Sequence, residues 1–244
     1  YDPGLTANIL RLANSVHFGA VRKVNSLQAA LTRLGTKKIL ELVLSLTVSS
    51  RLTVSLPGYG LQARDLLRHS IWTAVAAQEL ANLLDMKQVE MIFTAGLLHD
   101  LGLLLLDPFI QKERLRFNQA VDTLEASFEQ VEQDILGIDH SRAGGMILAK
   151  WQLTPEIVAG VRWHHQPEQA TAYQELTLLI HLADMLSLSE GIGTGEYGLQ
   201  HNVCPQCVKK VGLKKEHLEY VASKTLDKMK ELENILFQFD QFKP

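Results

Sequence analysis

Apolar residues in this sequence recur every three or four positions, and no convincing run of apolar–polar alternation is bounded by turns. Spacing of three and four places side chains on one helical face, whereas a half-buried strand needs a period of two. The chain is therefore expected to be all-α. Leu5, Ile9, Leu12, Ala13 and Val16 open the pattern, and Gly19 stops it. Ser26 is placed to cap a helix over residues 27–34 that Gly35 ends, and Thr36 to cap another over 37–50. Helices joined this tightly form a hairpin or a helix-turn-helix corner.

Pro57-Gly58-Tyr59-Gly60 is the clearest break in the first half. It divides a smaller helical N-terminal subdomain, 1–57, from a helical core over 61–190. A C-terminal loop and amphipathic helix, 191–244, complete the expected layout. In the core, Asp65 is placed to cap a helix over 66–84, and further helices are predicted over 87–98, 124–136 and 141–151. Thr154-Pro155-Glu156 combines a capping hydroxyl, a first-turn proline and an acid at the positive helix end. That helix should stop at His164-His165, since Pro167 disfavours helical geometry at Gln166. Residues 176–188 read as a helix apolar on nearly every side, 191–198 as a glycine-rich loop, and 214–237 as a charged amphipathic helix.

The 244 residues are ample for a sizeable core. A net charge of -3 gives no basic excess for nucleic acid or an anionic membrane. The apolar run 101–106 is too short to span a bilayer, and Arg11 and Asn14 interrupt the first apolar segment, so no signal peptide is read there. The two cysteines exclude a disulfide framework and fit a reducing cytoplasm. The chain opens on Tyr1 rather than Met and reads as a fragment or a processed chain.

His69, His99, Asp100, His140, His164, His165 and Asp184 stand on or at the ends of the expected helices. Imidazole and carboxylate ligands suit iron, manganese or zinc. Such a set can hold one or two divalent ions and activate water towards a phosphorus centre, with no organic cofactor implied. Asp184 gives the sharpest local argument, because its helix is apolar all round. An ionised carboxylate there costs several kcal/mol, comparable with the margin of a whole domain, unless a cation or donors compensate it. A metal would serve; so would an ion pair or hydrogen bond with His181, three residues back. His164 and His165 extend the inner rows of Ile157, Val158 and Val161, where a helix C-terminal cation is the alternative to a ligand. His69 alone reads equally as a satisfied core histidine, and His140 as an exposed N-terminal residue. His17, His201 and His217 have no supporting pattern. Cys204-Pro205-Gln206-Cys207 is half a structural zinc site that His201 or His217 would have to complete, a weak signal without a second cysteine pair.

The segment Asp2-Pro3-Gly4-Leu5-Thr6-Ala7-Asn8-Ile9-Leu10-Arg11-Leu12-Ala13-Asn14-Ser15-Val16-His17-Phe18-Gly19 resembles the opening of HDOD domains, the HD-related output domains of bacterial signalling proteins. Gly96-Leu97-Leu98-His99-Asp100-Leu101-Gly102 and Trp163-His164-His165-Gln166-Pro167 look like later motifs of that family, in the expected order. The resemblance covers residues 2 to about 190. It implies an all-helical HD-like bundle related to metal-dependent phosphohydrolases and to HD-GYP cyclic-dinucleotide phosphodiesterases. Matched residue by residue, the phosphodiesterase ligands fall on His69, His99, Asp100, His140, His164, His165 and Asp184, with Asp100 as the bridging residue of an active enzyme. Two departures count against catalysis. Leu103 stands where those enzymes carry a lysine that would help neutralise phosphate charge, and their glycine-tyrosine-proline stretch is replaced by Gln166-Pro167-Glu168-Gln169-Ala170. The resemblance thus implies a signalling module with a protein partner or a nucleotide-like ligand, and a metal-dependent phosphohydrolase as the alternative.

Overall fold

The computed structural model describes residues 52–86, 91–123, 127–192 and 211–238, together with positions 10, 14, 26 and 30. Among the described residues there is no strand, only an isolated bridge between Leu56 and Leu61. The helices are α1 (Asp65–Leu83), α2 (Ile92–Leu98), α3 (Leu101–Lys112), α4 (Arg114–Thr123), α5 (Phe128–Leu136), α6 (His140–Lys150), α7 (Pro155–Trp163), α8 (Gln174–Ser189) and α9 (Lys215–Gln238). Short 3-10 turns cover Pro57–Tyr59 and Pro167–Gln169. The expected helices over 27–34 and 37–50 lie outside the described residues, apart from position 30, which is helical and donates its N–H to the Ser26 carbonyl. His17, His201, Cys204 and Cys207 also lie outside them.

Helices α1 and α8 are buried almost all round and pack against each other at the centre. Trp72, Ile71 and Val75 of α1 and Phe93 of α2 are fully buried there, each such side chain contributing about 1.5–3 kcal/mol. Helices α2, α7 and α9 close on this pair, and α3 lies across α6. This burial answers a question that composition raises. The stretch Ile92–Lys112 is long and apolar enough to cross a membrane, yet 78% of its apolar window is buried inside the protein.

Two local expectations are corrected, and one helix was not expected. Asp65 is the first helical residue, and its Oδ2 accepts from the Gln62 N–H, an amide outside the helix. Thr154 has the extended backbone of a capping position, but its hydroxyl makes no hydrogen bond. Helix α3 was not foreseen, because Pro108 interrupts its pattern. The proline sits on the exposed face of the helix and leaves only the Leu104 carbonyl without its usual N–H partner.

Candidate metal centre

The seven singled-out residues converge on one place. His69 comes from the second turn of α1, His99 from the end of α2, and Asp100 from the head of α3. His140 opens α6, His164 and His165 follow α7, and Asp184 comes from α8. Their ligand atoms form two groups: His69, His99 and Asp184, all buried, and Asp100, His140, His164 and His165, of which His165 is half-buried. Within each group the atoms lie within 4.8 Å of one another. We call these the deep and the outer group. Asp100 borders both. Its Oδ2 lies 3.3 Å from Nε2 of His69 and of His99, and its Oδ1 lies 3.4 Å from His140 Nε2 and 3.6 Å from His164 Nε2.

Two glycines permit this approach. A Cβ on Gly96 would come within 2.8 Å of the Ala74 Cα, so its absence lets α2 close on α1 and brings His99 to His69. A Cβ on Gly102 would overlap the His140 carbonyl, so α3 can cross the head of α6 only with glycine there. That crossing carries Asp100 to His140.

The imidazoles are orientated from behind. Nδ1 of His99 donates to the Gly96 carbonyl at 2.7 Å, and Nδ1 of His164 to the Val161 carbonyl at 2.7 Å. Nδ1 of His140 donates to Glu132 Oε2 at 2.7 Å, and Nδ1 of His69 to the Ile192 carbonyl at 3.2 Å, with Ser187 Oγ at 3.0 Å. Carbonyl and carboxylate oxygens only accept, so Nδ1 carries the proton in all four rings. Each neutral ring then presents a bare Nε2 lone pair to the centre. His69 and His99 bring theirs to 3.1 Å of each other, and His140 and His165 bring their Nε2 atoms to 2.8 Å. His69 Nε2 is also 3.1 Å from Asp184 Oδ1, and His99 Nε2 is 3.7 Å from it. His164 Nε2 is buried without a hydrogen-bond partner.

Lone pairs turned towards each other and towards two carboxylates demand positive charge. Among the described residues the ion-pair partners of Asp100 and Asp184 are histidines only. Without a metal, protons meet the demand. Burial pulls His69 and His99 down, but Asp100 and Asp184 outweigh it and raise them to about 9 and about 10. His140 is likewise driven down by burial and, more strongly, up by Glu132 and Asp100. Asp100 and Asp184 sit well below the usual carboxylate range, as the histidines override the opposing effect of burial. Burial keeps His164 below its ordinary value.

A metal suits the same atoms. Metal–nitrogen bonds of about 2.0–2.1 Å, at angles from square to tetrahedral, hold ligand atoms about 2.8–3.4 Å apart. The closest contacts here span that range. The donor set, imidazole with carboxylate, matches iron, manganese or zinc.

Some sequence readings change. His140 is 2% exposed, where an exposed helix start was the alternative reading. Asp184 contacts His69 and His99, and His181, offered as an alternative partner for it, turns Nδ1 to the His164 carbonyl at 2.8 Å. Glu132 was passed over. It is fully buried and holds His140, and its place on the apolar stripe of Phe128, Val131 and Ile135 was the available signal.

The HDOD domain family matches residues 1–167. The chain belongs to that family. Its fold is similar to an HDOD domain protein of unknown function from Geobacter sulfurreducens, with a TM-score of 0.73 and 22% identity, covering 96% of this chain and 83% of that one. It is also similar to a protein of Shewanella amazonensis SB2B provisionally named a phosphohydrolase, with a TM-score of 0.69, 25% identity and coverage of 96% and 83%. An uncharacterized protein of Treponema pallidum (strain Nichols) is 22% identical over 191 residues, which are 75% of this chain. The chain spans 36% of that relative's length.

Proposed function

We propose that this HDOD domain is a regulatory signalling module of the cytoplasm that holds one or two divalent ions in its His/Asp centre. The observation that carries this reading is the set of Nε2 lone pairs facing one another and two carboxylates, with His164 Nε2 buried and unpartnered. His69, His99 and Asp184 would hold one ion; His140, His164 and His165 would hold the other, with Asp100 between them. Bound there, the ions would link α1, α2, α3, α6, α7 and α8, so that loading stiffens the surface offered to a protein partner or a nucleotide-like ligand.

The second reading is a metal-dependent phosphohydrolase, which the provisional name of the Shewanella relative and the half-buried His165 favour. Divalent ions would supply Lewis acidity towards a phosphoryl oxygen. Against it stands Leu103, which is buried and uncharged where the related phosphodiesterases place a lysine. Assays of the metal-loaded protein against nucleotides and cyclic dinucleotides test the choice. No turnover is expected; turnover that disappears in Asp100→Ala would replace the signalling module with the enzyme.

A further inference from the structure

Glu132 lies on the buried face of α5 with Phe128 and Val131, is fully buried, and meets His140 at the head of α6. A carboxylate in that position costs several kcal/mol unless its oxygens are filled. They are filled by a specific set of donors. Oε2 accepts from the His140 main-chain N–H at 2.7 Å and from the His140 ring Nδ1 at 2.7 Å. Oε1 accepts from the Tyr59 hydroxyl at 2.7 Å. Tyr59 is itself held by the rings of Phe117 and Phe128, whose centroids lie 6.3 and 5.3 Å from its own.

The arrangement exceeds what capping requires. Asp139 already caps α6, accepting from the Arg142 N–H at 2.8 Å. A residue needed only for the helix start would take the His140 main-chain N–H and leave the ring alone. Glu132 takes both with one oxygen, which fixes the ring plane and the tautomer together. Carboxylates behind a metal-binding imidazole act in this way, and their loss typically lowers metal affinity about 10–100-fold.

We propose that Glu132 is the positioning residue of the outer metal group, holding His140 so that its Nε2 faces Asp100, His164 and His165, with Tyr59 steadying it from the Pro57–Tyr59 turn. The inference rests on the metal-centre reading. Its consequence is that the turn next to the N-terminal part of the chain becomes part of the support of the outer group. Asp107 reinforces the connection, accepting from the Gly58 N–H at 2.8 Å along the same helix that carries Asp100.

Titration of the metal-free full chain with manganese(II) alone, following the resonance of the free ion, tests the proposal. Wild type should show two classes of site. Glu132→Gln should weaken one class by about 10–100-fold and leave the other within about threefold. In a His140→Ala background the same Glu132→Gln change should have little further effect, since a positioning residue acts only through the ring it positions. Equal affinities in wild type and Glu132→Gln overturn the proposal, as does a loss of the same size with and without His140, which marks a merely structural role. If Glu132→Gln does not fold, Tyr59→Phe takes its place. It should weaken the same class by a few-fold, and no change overturns the proposal. Absence of binding to wild type would instead sink the metal-centre reading itself, a distinct result.

Discussion

The deep and outer groups are built from the same residue types but are held differently. The deep group takes His69 and Asp184 from the two central helices, α1 and α8, and His99 from the end of α2, and all three residues are buried. The outer group stands on helix ends: the head of α3, the head of α6 and the two residues after α7. Its orientation depends on Glu132 and on one glycine crossing. Main-chain carbonyls of Gly96 and Ile192 hold the deep imidazoles from behind, whereas in the outer group His140 is held by a side chain, Glu132. The deep group is therefore suited to a structural ion, and the outer group, with His165 half-buried, is where a ligand or water would reach an ion.

Breaking the deep half should have the largest effect. Asp184→Ala removes the carboxylate facing His69 and His99, and losing one partner of a buried charged set costs about 3–5 kcal/mol. Chemical denaturation should show that loss, while metal analysis should show the outer ion retained. Gly102→Ala strikes the outer half first, through the His140 carbonyl. Overpacking against backbone costs at least about 1–3 kcal/mol, and the outer ion should be weakened more than the deep one.

Acidity separates the halves more finely. Asp100 and Asp184 raise His69 and His99, and their Nε2 atoms, 3.1 Å apart, can share one hydrogen between them, so loading the deep group at pH 7 should release about one proton. Calorimetry in buffers of different ionisation enthalpy counts it. The sign for stability follows. In the metal-free protein, His69 and His99 have folded values above the ordinary one, so their contribution is complete below about pH 6.5 and lost as pH rises through about 9 and 10. His164 and His181 are depressed by burial; theirs is present above about pH 6.5 and lost as pH falls below it. The melting temperature of the metal-free protein should therefore decline at both ends. The smallest change in stability is expected for His165→Ala, which removes the half-buried ligand and should weaken the outer ion with no effect on the deep one.

The helices of the core were legible because apolar spacing follows burial directly. Residues 66–84 and 176–188 were expected to be helical, and α1 and α8 agree to within two residues. The seven candidate residues were legible as types in an order, and the structure brings them together. Their supports were not. Glu132 is eight residues from His140 and Tyr59 is seventy-three from Glu132, so the pairing exists only once α5 and the 57–59 turn are packed. Helix α3 was hidden by Pro108, whose missing N–H is tolerated on an exposed face. His181 was one alternative partner for Asp184 on spacing, and its Nδ1 faces the His164 carbonyl at the end of α7.

The central claim is that two carboxylates and five imidazoles form a divalent-metal centre joined through Asp100. Elemental analysis of the purified protein beside Asp100→Ala, each after incubation with iron or manganese, tests it most directly. The account predicts one to two ions per chain in wild type and a loss of most of them in Asp100→Ala. Less than about a tenth of an ion per chain in wild type, with no uptake on incubation, would contradict it.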